Sequence, residues 1–500
     1  MKNRNIRNTL CMLLSAVLMI TALSAGSFAV SASADSEPPA LPEGGMPGEP
    51  PDGMGAPPEG MGTPPDGAPG GELGTPPDGM GGPGGMPGGG PGGSSADIDY
   101  CGAVEITSGD AQSDQTYEST TVDQSALLIS TSEDVTITNP TVIKTGSSNG
   151  GDSCNFYGLN AAVLVKDGST TTIEGGTITS DADGANGVFS YGGNAGRNGA
   201  EGDGTTVIIR DTVITTTGNG SGGIMTTGGG TTRAYNLTVT TSGGSSAPIR
   251  TDRGGGTVLV EGGSYTSNGL GSPAIYSTAD ITVANATLTS NLSEGVCIEG
   301  KNSITLNDCD LTADNTKCNG NATFFDSIMI YQSMSGDADS GTSSFNMTGG
   351  SLTSKNGHIF HVTNTNAIIN LKDVSLINED EDNILLSVCD DGWSGAGNIA
   401  TLNADSQGLN GTVLVGDNST LSLNLTNGSS FTGTISGEIT NAKGETVSTE
   451  PGTVNVTLDS TSTWTLTADT SITSFEGDAA GIISNGFTLY VSGTALSGTM

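Results

Sequence analysis

Arginine is scarce in this 500-residue chain, so the run Ile249-Arg250-Thr251-Asp252-Arg253 stands out. On an extended strand, alternation puts Arg250 and Asp252 on one side and Ile249 on the other, with Arg253 at the following turn. Two similar stretches downstream carry Tyr276 and Thr278, then Cys297 and Glu299, with Lys301 close behind. Stacked one above another, these stretches bring Arg250, Asp252, Arg253, Tyr276, Glu299 and Lys301 to a single face. Arginine beside an aromatic ring and carboxylates can hold a sugar or an acidic ligand. The plainer alternative is a surface ladder of ion pairs that spaces the stretches. Asp252 and Glu299 would lie about 10 Å apart, two strand spacings. That is at or just beyond the carboxylate separation of inverting glycosidases. Arg250 could also serve as the base of a lyase, with calcium neutralising a uronate.

Stacking requires a repeat, and the chain has one. An apolar residue after a tight corner recurs at Val142, Ile178, Ile214, Val239, Tyr265, Leu288, Leu311, Leu352 and Leu376. Three residues before each stands Asn139, Gly175, Asp211, Asn236, Gly262, Asn285, Asp308, Gly349 or Asp373. All are Gly, Asn or Asp, the residues that tolerate the left-handed backbone of a sharp corner. A second strand recurs beside them, at Ala162-Val163, Val188-Phe189, Ile224-Met225, Pro248-Ile249, Ala274-Ile275, Val296-Cys297, Ile328-Met329, Ile359-Phe360 and Leu385-Leu386. Short strands and turns repeating every 20 to 30 residues or so are a solenoid signature, with no helical period competing. Longer steps coincide with loops at 145–158, 191–204 and 313–344, where a solenoid tends to carry its binding function.

Composition agrees. Only 33% of residues are hydrophobic and 4% aromatic, low for a globule of this length but enough for a narrow column shared between rungs. Lys2, Arg4 and Arg7 precede an apolar run from Leu10 to about Ile20, and Ala32-Ser33-Ala34 fits a cleavage site, so residues 1–34 read as a secretory signal. Those residues hold three of the 15 basic side chains and none of the 53 acidic ones, so removing them takes the net charge from −38 to −41. Such acidity argues against nucleic acid and anionic membranes. Residues 35–97, rich in Pro, Gly and Met, read as a disordered linker. Residues 98–125 are expected to cap the column, 126–440 to form it, and 441–500 to add rungs and a cap around Trp464, Phe475 and Tyr490.

These corners and three short strands per rung resemble the right-handed parallel β-helix, an all-β solenoid whose pectate-lyase-like superfamily includes enzymes, polysaccharide-binding proteins and adhesins. Stretches such as GANGVFSYGG, SSAPIRTDRGGGTV, SPAIYSTADITV and SEGVCIEGKNSITL resemble secreted, adhesin-like β-helix proteins of Gram-positive anaerobes. The resemblance implies a secreted or loosely cell-surface protein, monomeric and without a membrane span once its signal is removed. With the long rigid column, the spacer, the export signal and the missing catalytic motifs, the expectation is non-enzymatic binding of a polysaccharide or host glycoprotein surface. A polysaccharide lyase or hydrolase acting on an acidic polysaccharide is the alternative, and a structural surface protein the third. Neither the Asp cluster of pectate lyases nor the signature set of polygalacturonases is found, and Gly357-His358-Ile359 lacks the second glycine of their Gly-His-Gly motif. No catalytic residue is therefore assigned.

No resident cofactor is expected. Calcium is weighed at the acidic turns Asp181-Ala182-Asp183, Asp337-Ala338-Asp339 and Glu379-Asp380-Glu381-Asp382, where ordinary solvated turns are the plainer reading. His358 and His361, the two histidines, are three apart on a strand and so are expected on opposite sides. Six cysteines follow the signal, and their pairing is left open.

Overall fold

The corners come out as their residue types demand. The computed structural model describes residues 98–194 and 201–500. In it all nine residues from Asn139 to Asp373 take left-handed backbone, with φ between 49° and 70°. The apolar residues three positions on form one parallel ladder, each opposite the next from Val142 to Leu376. Eight are buried, and Leu376 packs against the core. A corner that always bends the same way sends each rung back over the last, so every rung inherits the register of its neighbour.

The Ile249 rung illustrates the unit. A short strand, Ile249–Thr251, crosses the front. Gly256–Ser267 follows and bends at Gly262-Gly263, giving two further legs. Stacking these units yields a front sheet of 15 strands and a back sheet of 22, both parallel throughout. The architecture is a right-handed parallel β-helix with three short strands per rung. Its core is a narrow column of inward ladders, such as Val163, Val188, Ile224, Ile249, Ile275, Val296, Ile328, Phe360 and Leu386. Each such burial contributes roughly 1.5–3 kcal/mol.

The expected signal and linker, residues 1–97, lie outside the described residues. Residues 98–125, expected to cap the column, contribute a rung at its end. Cys101–Ile106, Asp110–Ser113 and Thr116–Ser119 pair in parallel with the next rung. Asp114, at φ 55°, and Tyr117, opposite Val142, make a tenth corner of the same form. The three-legged rung simplifies toward the C-terminus. There Asn398–Asp405 and Gly408–Val415 are two long strands joined at left-handed Ser406. The helix continues through Thr463–Leu466, where Trp464 stacks on Phe431 with ring centres 5.4 Å apart.

Two glycines should differ in what their replacement costs. Gly263 has φ 95°, and a Cβ there would come within 2.4 Å of the Leu237 carbonyl oxygen. Gly428 has φ 79° and open space around it. In urea titrations Gly263→Ala should lose about 3 kcal/mol, from left-handed strain plus a backbone clash. Gly428→Ala should lose only about 1 kcal/mol, from the strain alone. Equal losses would mean that close stacking of the corners is not what the glycine protects.

Candidate ligand-binding site

The outward side of the front sheet is where the predicted site residues sit, and most of that side is not exposed. One outward ladder runs Leu128, Leu164, Phe189, Met225, Arg250, Tyr276, Cys297, Met329, His361, Ser387 and Leu414. All of these except Tyr276 are buried. The loops that lengthen the repeat roof the sheet. At the N-terminal end Tyr100, Tyr157 and Tyr191 close over Leu128, Leu164, Phe189 and Met225. Toward the C-terminal end Phe324, from the strap 314–325, joins Cys389, Leu414 and Ile439. Between the two roofs a cleft of about 210 Å³ remains, lined by Ser245, Ala247, Arg250, Gly271, Pro273, Tyr276, Asn319 and Tyr331.

The six predicted residues divide among three places. Arg250 and Tyr276 line the cleft, with the guanidinium 5.7 Å from the ring centre. Arg250 donates to the Ser245 carbonyl at 2.9 Å and to Asp252 at 2.8 Å. Asp252 is buried behind it. Burial pushes its carboxyl up to about 6 despite the opposing pull of Arg250, and Asp337 adds to the rise. The Tyr276 hydroxyl donates to Glu299 at 2.6 Å, and Tyr331, Ser333 and Ser335 donate to the same carboxylate. Neither Asp252 nor Glu299 lines the cleft.

Arg253 is a clamp between roof elements. It donates to Asp337 at 2.6 Å and lies 4.2 Å from the ring centre of Phe156. Phe156 belongs to the short helix Asp152–Tyr157. Lys301 pairs with Asp339 at 2.9 Å and faces a separate hollow of about 330 Å³, with Thr257, Asp280 and Asn302. The shared face is thus real for Arg250, Asp252, Tyr276 and Glu299, but Arg253 and Lys301 are turned to other work.

The histidines depart from the alternation argument. Ile359 and Phe360 are adjacent, yet both belong to the core, so the chain bends between them. The bend brings both imidazoles to the outer side. The Nδ1 atoms of His358 and His361 each lie 2.7 Å from Ser387 Oγ, and His361 Nε2 stands 3.3 Å from Asp391. One hydroxyl cannot donate to both rings, so it accepts from one and donates to the other. Phe324 covers the pair, with ring centres 5.3 and 4.8 Å away. Burial lowers His358 to about 3, and His361 adds to the fall. Asp391 feels burial pushing it up, but His361, Thr323 and Gly392 outweigh this and hold it below the usual carboxylate value.

The acidic turns are occupied with their own neighbours. Asp181 accepts from Thr217 and Asp183 from Asn219, while Asp337 and Asp339 are ion-paired and Asp380 accepts from Gly357 and Asp382. Among the described residues no three His, Cys, Asp or Glu side chains converge as metal ligands. The six described cysteines are all free thiols. No described helix is long and apolar enough to cross a membrane.

Sequence reasoning missed Asn319, Tyr331 and Trp393. Tyr331 and Trp393 are half-buried, with ring centres 4.9 Å apart, and extend the aromatic side of the cleft. A signal was present, since Trp393 is one of two tryptophans and follows Asp391-Gly392 in a turn-rich stretch.

A pH dependence follows from His358. Its folded-state value lies below the ordinary one, so its contribution is complete above about pH 6.5 and is lost as pH falls toward 3. Relative to His358→Asn, the chain should therefore lose about 1.4 kcal/mol per pH unit across that window, a few kcal/mol in all. Urea titrations at pH 7, 5.5 and 4 on both proteins check this. A difference that stays constant with pH would show that the imidazole is not held neutral by the fold.

Compared with protein-family models, curated proteins and solved structures, the chain matches none.

Proposed function

We propose that this is an extracellular or cell-surface binding protein, adhesin-like and non-enzymatic, that takes a glycan in the cleft over the front sheet. The observation that carries the reading is the gap itself. The outer face of the sheet is roofed on both sides of Tyr276, and the opening left there is lined by Arg250, Tyr276, Tyr331 and Asn319. Sugars present apolar faces and hydroxyl edges. Half-buried aromatic rings suit the first, and the Arg250 and Asn319 side chains suit the second. Two Arg250 N–H groups are engaged, which leaves donors for a ligand oxygen. Because Asp252 already balances the guanidinium charge, a neutral or weakly acidic glycan fits better than a polyanion. Secretion follows from the N-terminal sequence pattern, as does the likeness to the pectate-lyase-like superfamily from the corner motifs.

A glycan array tests this with the full chain, Trp393→Ala and Asn319→Ala. The wild type should retain a defined glycan class, and each variant should weaken it about tenfold or more. Retention of no glycan, or equal retention by all three proteins, would remove the cleft as the binding site. Release of reducing sugars or unsaturated uronates from a retained polysaccharide would replace the binding reading with the enzymatic one.

A further inference from the structure

Beneath the strap 314–325 lie two buried carboxylates that no ion pair explains. Val296 stands opposite Ile328, so Glu294 and Asp326, each two residues ahead of these, lie on adjacent rungs, near enough that the Glu294 carboxylate helps burial push the Asp326 carboxyl up. Glu294 is 5% exposed and Asp326 1%. Among the described ion pairs neither carboxylate takes part. Glu294 accepts from Ser293, but both Asp326 oxygens lack a hydrogen-bond partner. A third buried oxygen, on the strap beside Asp326, also lacks a partner. Asn315, 1% exposed, donates its amide to the Asp326 carbonyl, and its Oδ1 has no partner. His358, opposite Asp326 on the next rung, is engaged with Ser387.

Two neighbouring buried carboxylates without a counter-charge are strongly unfavourable unless a cation or protons neutralise them. We propose that Glu294, Asp326 and Asn315 bind a calcium ion that fastens the strap to the front sheet. The donors are all hard oxygens. Two carboxylates, each able to bind through both oxygens, one amide oxygen and water complete the six to eight ligands calcium takes. Nearby Cys297 and Cys318 are soft donors whose thiols burial pushes up, so they stay protonated and do not compete for a hard ion. The strap also carries Asn319, one wall of the cleft, but the site stands whether or not a glycan occupies that cleft.

The test uses the full chain stripped with a chelator and titrated with calcium chloride, beside Asp326→Asn and Asn315→Ala. Calorimetry should find a site of one calcium per chain, weakened at least about tenfold in each variant. Hydrogen exchange of the wild type should show residues 314–325 slowed by calcium and no comparable change in the back sheet. Equal calcium uptake by all three proteins would assign the binding to surface carboxylates and overturn the proposal. So would strap exchange that ignores calcium. A gain in stability of Asp326→Asn with no calcium effect on the wild type would show that protons neutralise the pair, and would equally overturn it.

Discussion

The molecule depends on a backbone constraint, the left-handed residue at each corner. A right-handed or extended residue there would let the chain run on, and the next rung would not land on the last. With Asn, Asp or Gly in the left-handed region the bend is the same each time, φ 49° to 70°, and the ladder from Val142 to Leu376 closes. Close approach adds a second demand where the corner carries paired glycines. A Cβ at Gly350 would come 2.1 Å from the Cys309 carbonyl oxygen. The apolar ladders supply the driving force, but the corners decide its register.

Register then decides chemistry. Because each front strand sits directly over its neighbour, a change of residue type along the outward ladder becomes a change of character along a surface. Leu, Phe and Met at one end invite the tyrosine-rich roof, and the Cys297 to His361 stretch lies under or beside the strap. Arg250 and Tyr276 fall between, and the roof is open there. The polar residues at this opening are bound to one another through Arg250–Asp252 and Tyr276–Glu299. A network already satisfied holds its donors in place, so less ordering would remain to oppose the proposed binding.

The fold was legible because its signals are local. The corner residues announce themselves by type, and the inward strand by its apolar pairs, so the ladder and the stacking of Arg250 over Tyr276 follow from spacing alone. Asp114 and Tyr117 carried the same signature but fell in a polar stretch that reads as a cap. The site was only partly legible, since it is made by loops of irregular length that fold over the sheet. Nothing in the spacing tells that Arg253 reaches Asp337, 84 residues on, or that Asn319 meets the cleft. The histidines misled because strict alternation fails at the bend where Ile359 and Phe360 both turn inward.

The claim that the opening over the front sheet is where ligand enters can be tested most directly by hydrogen exchange with the best-retained glycan added to the full chain. Protection is expected in residues 245–250, 271–276, 319–331 and around Trp393, with the back sheet unchanged. Protection confined to the back sheet, or to the hollow beside Lys301, would contradict it.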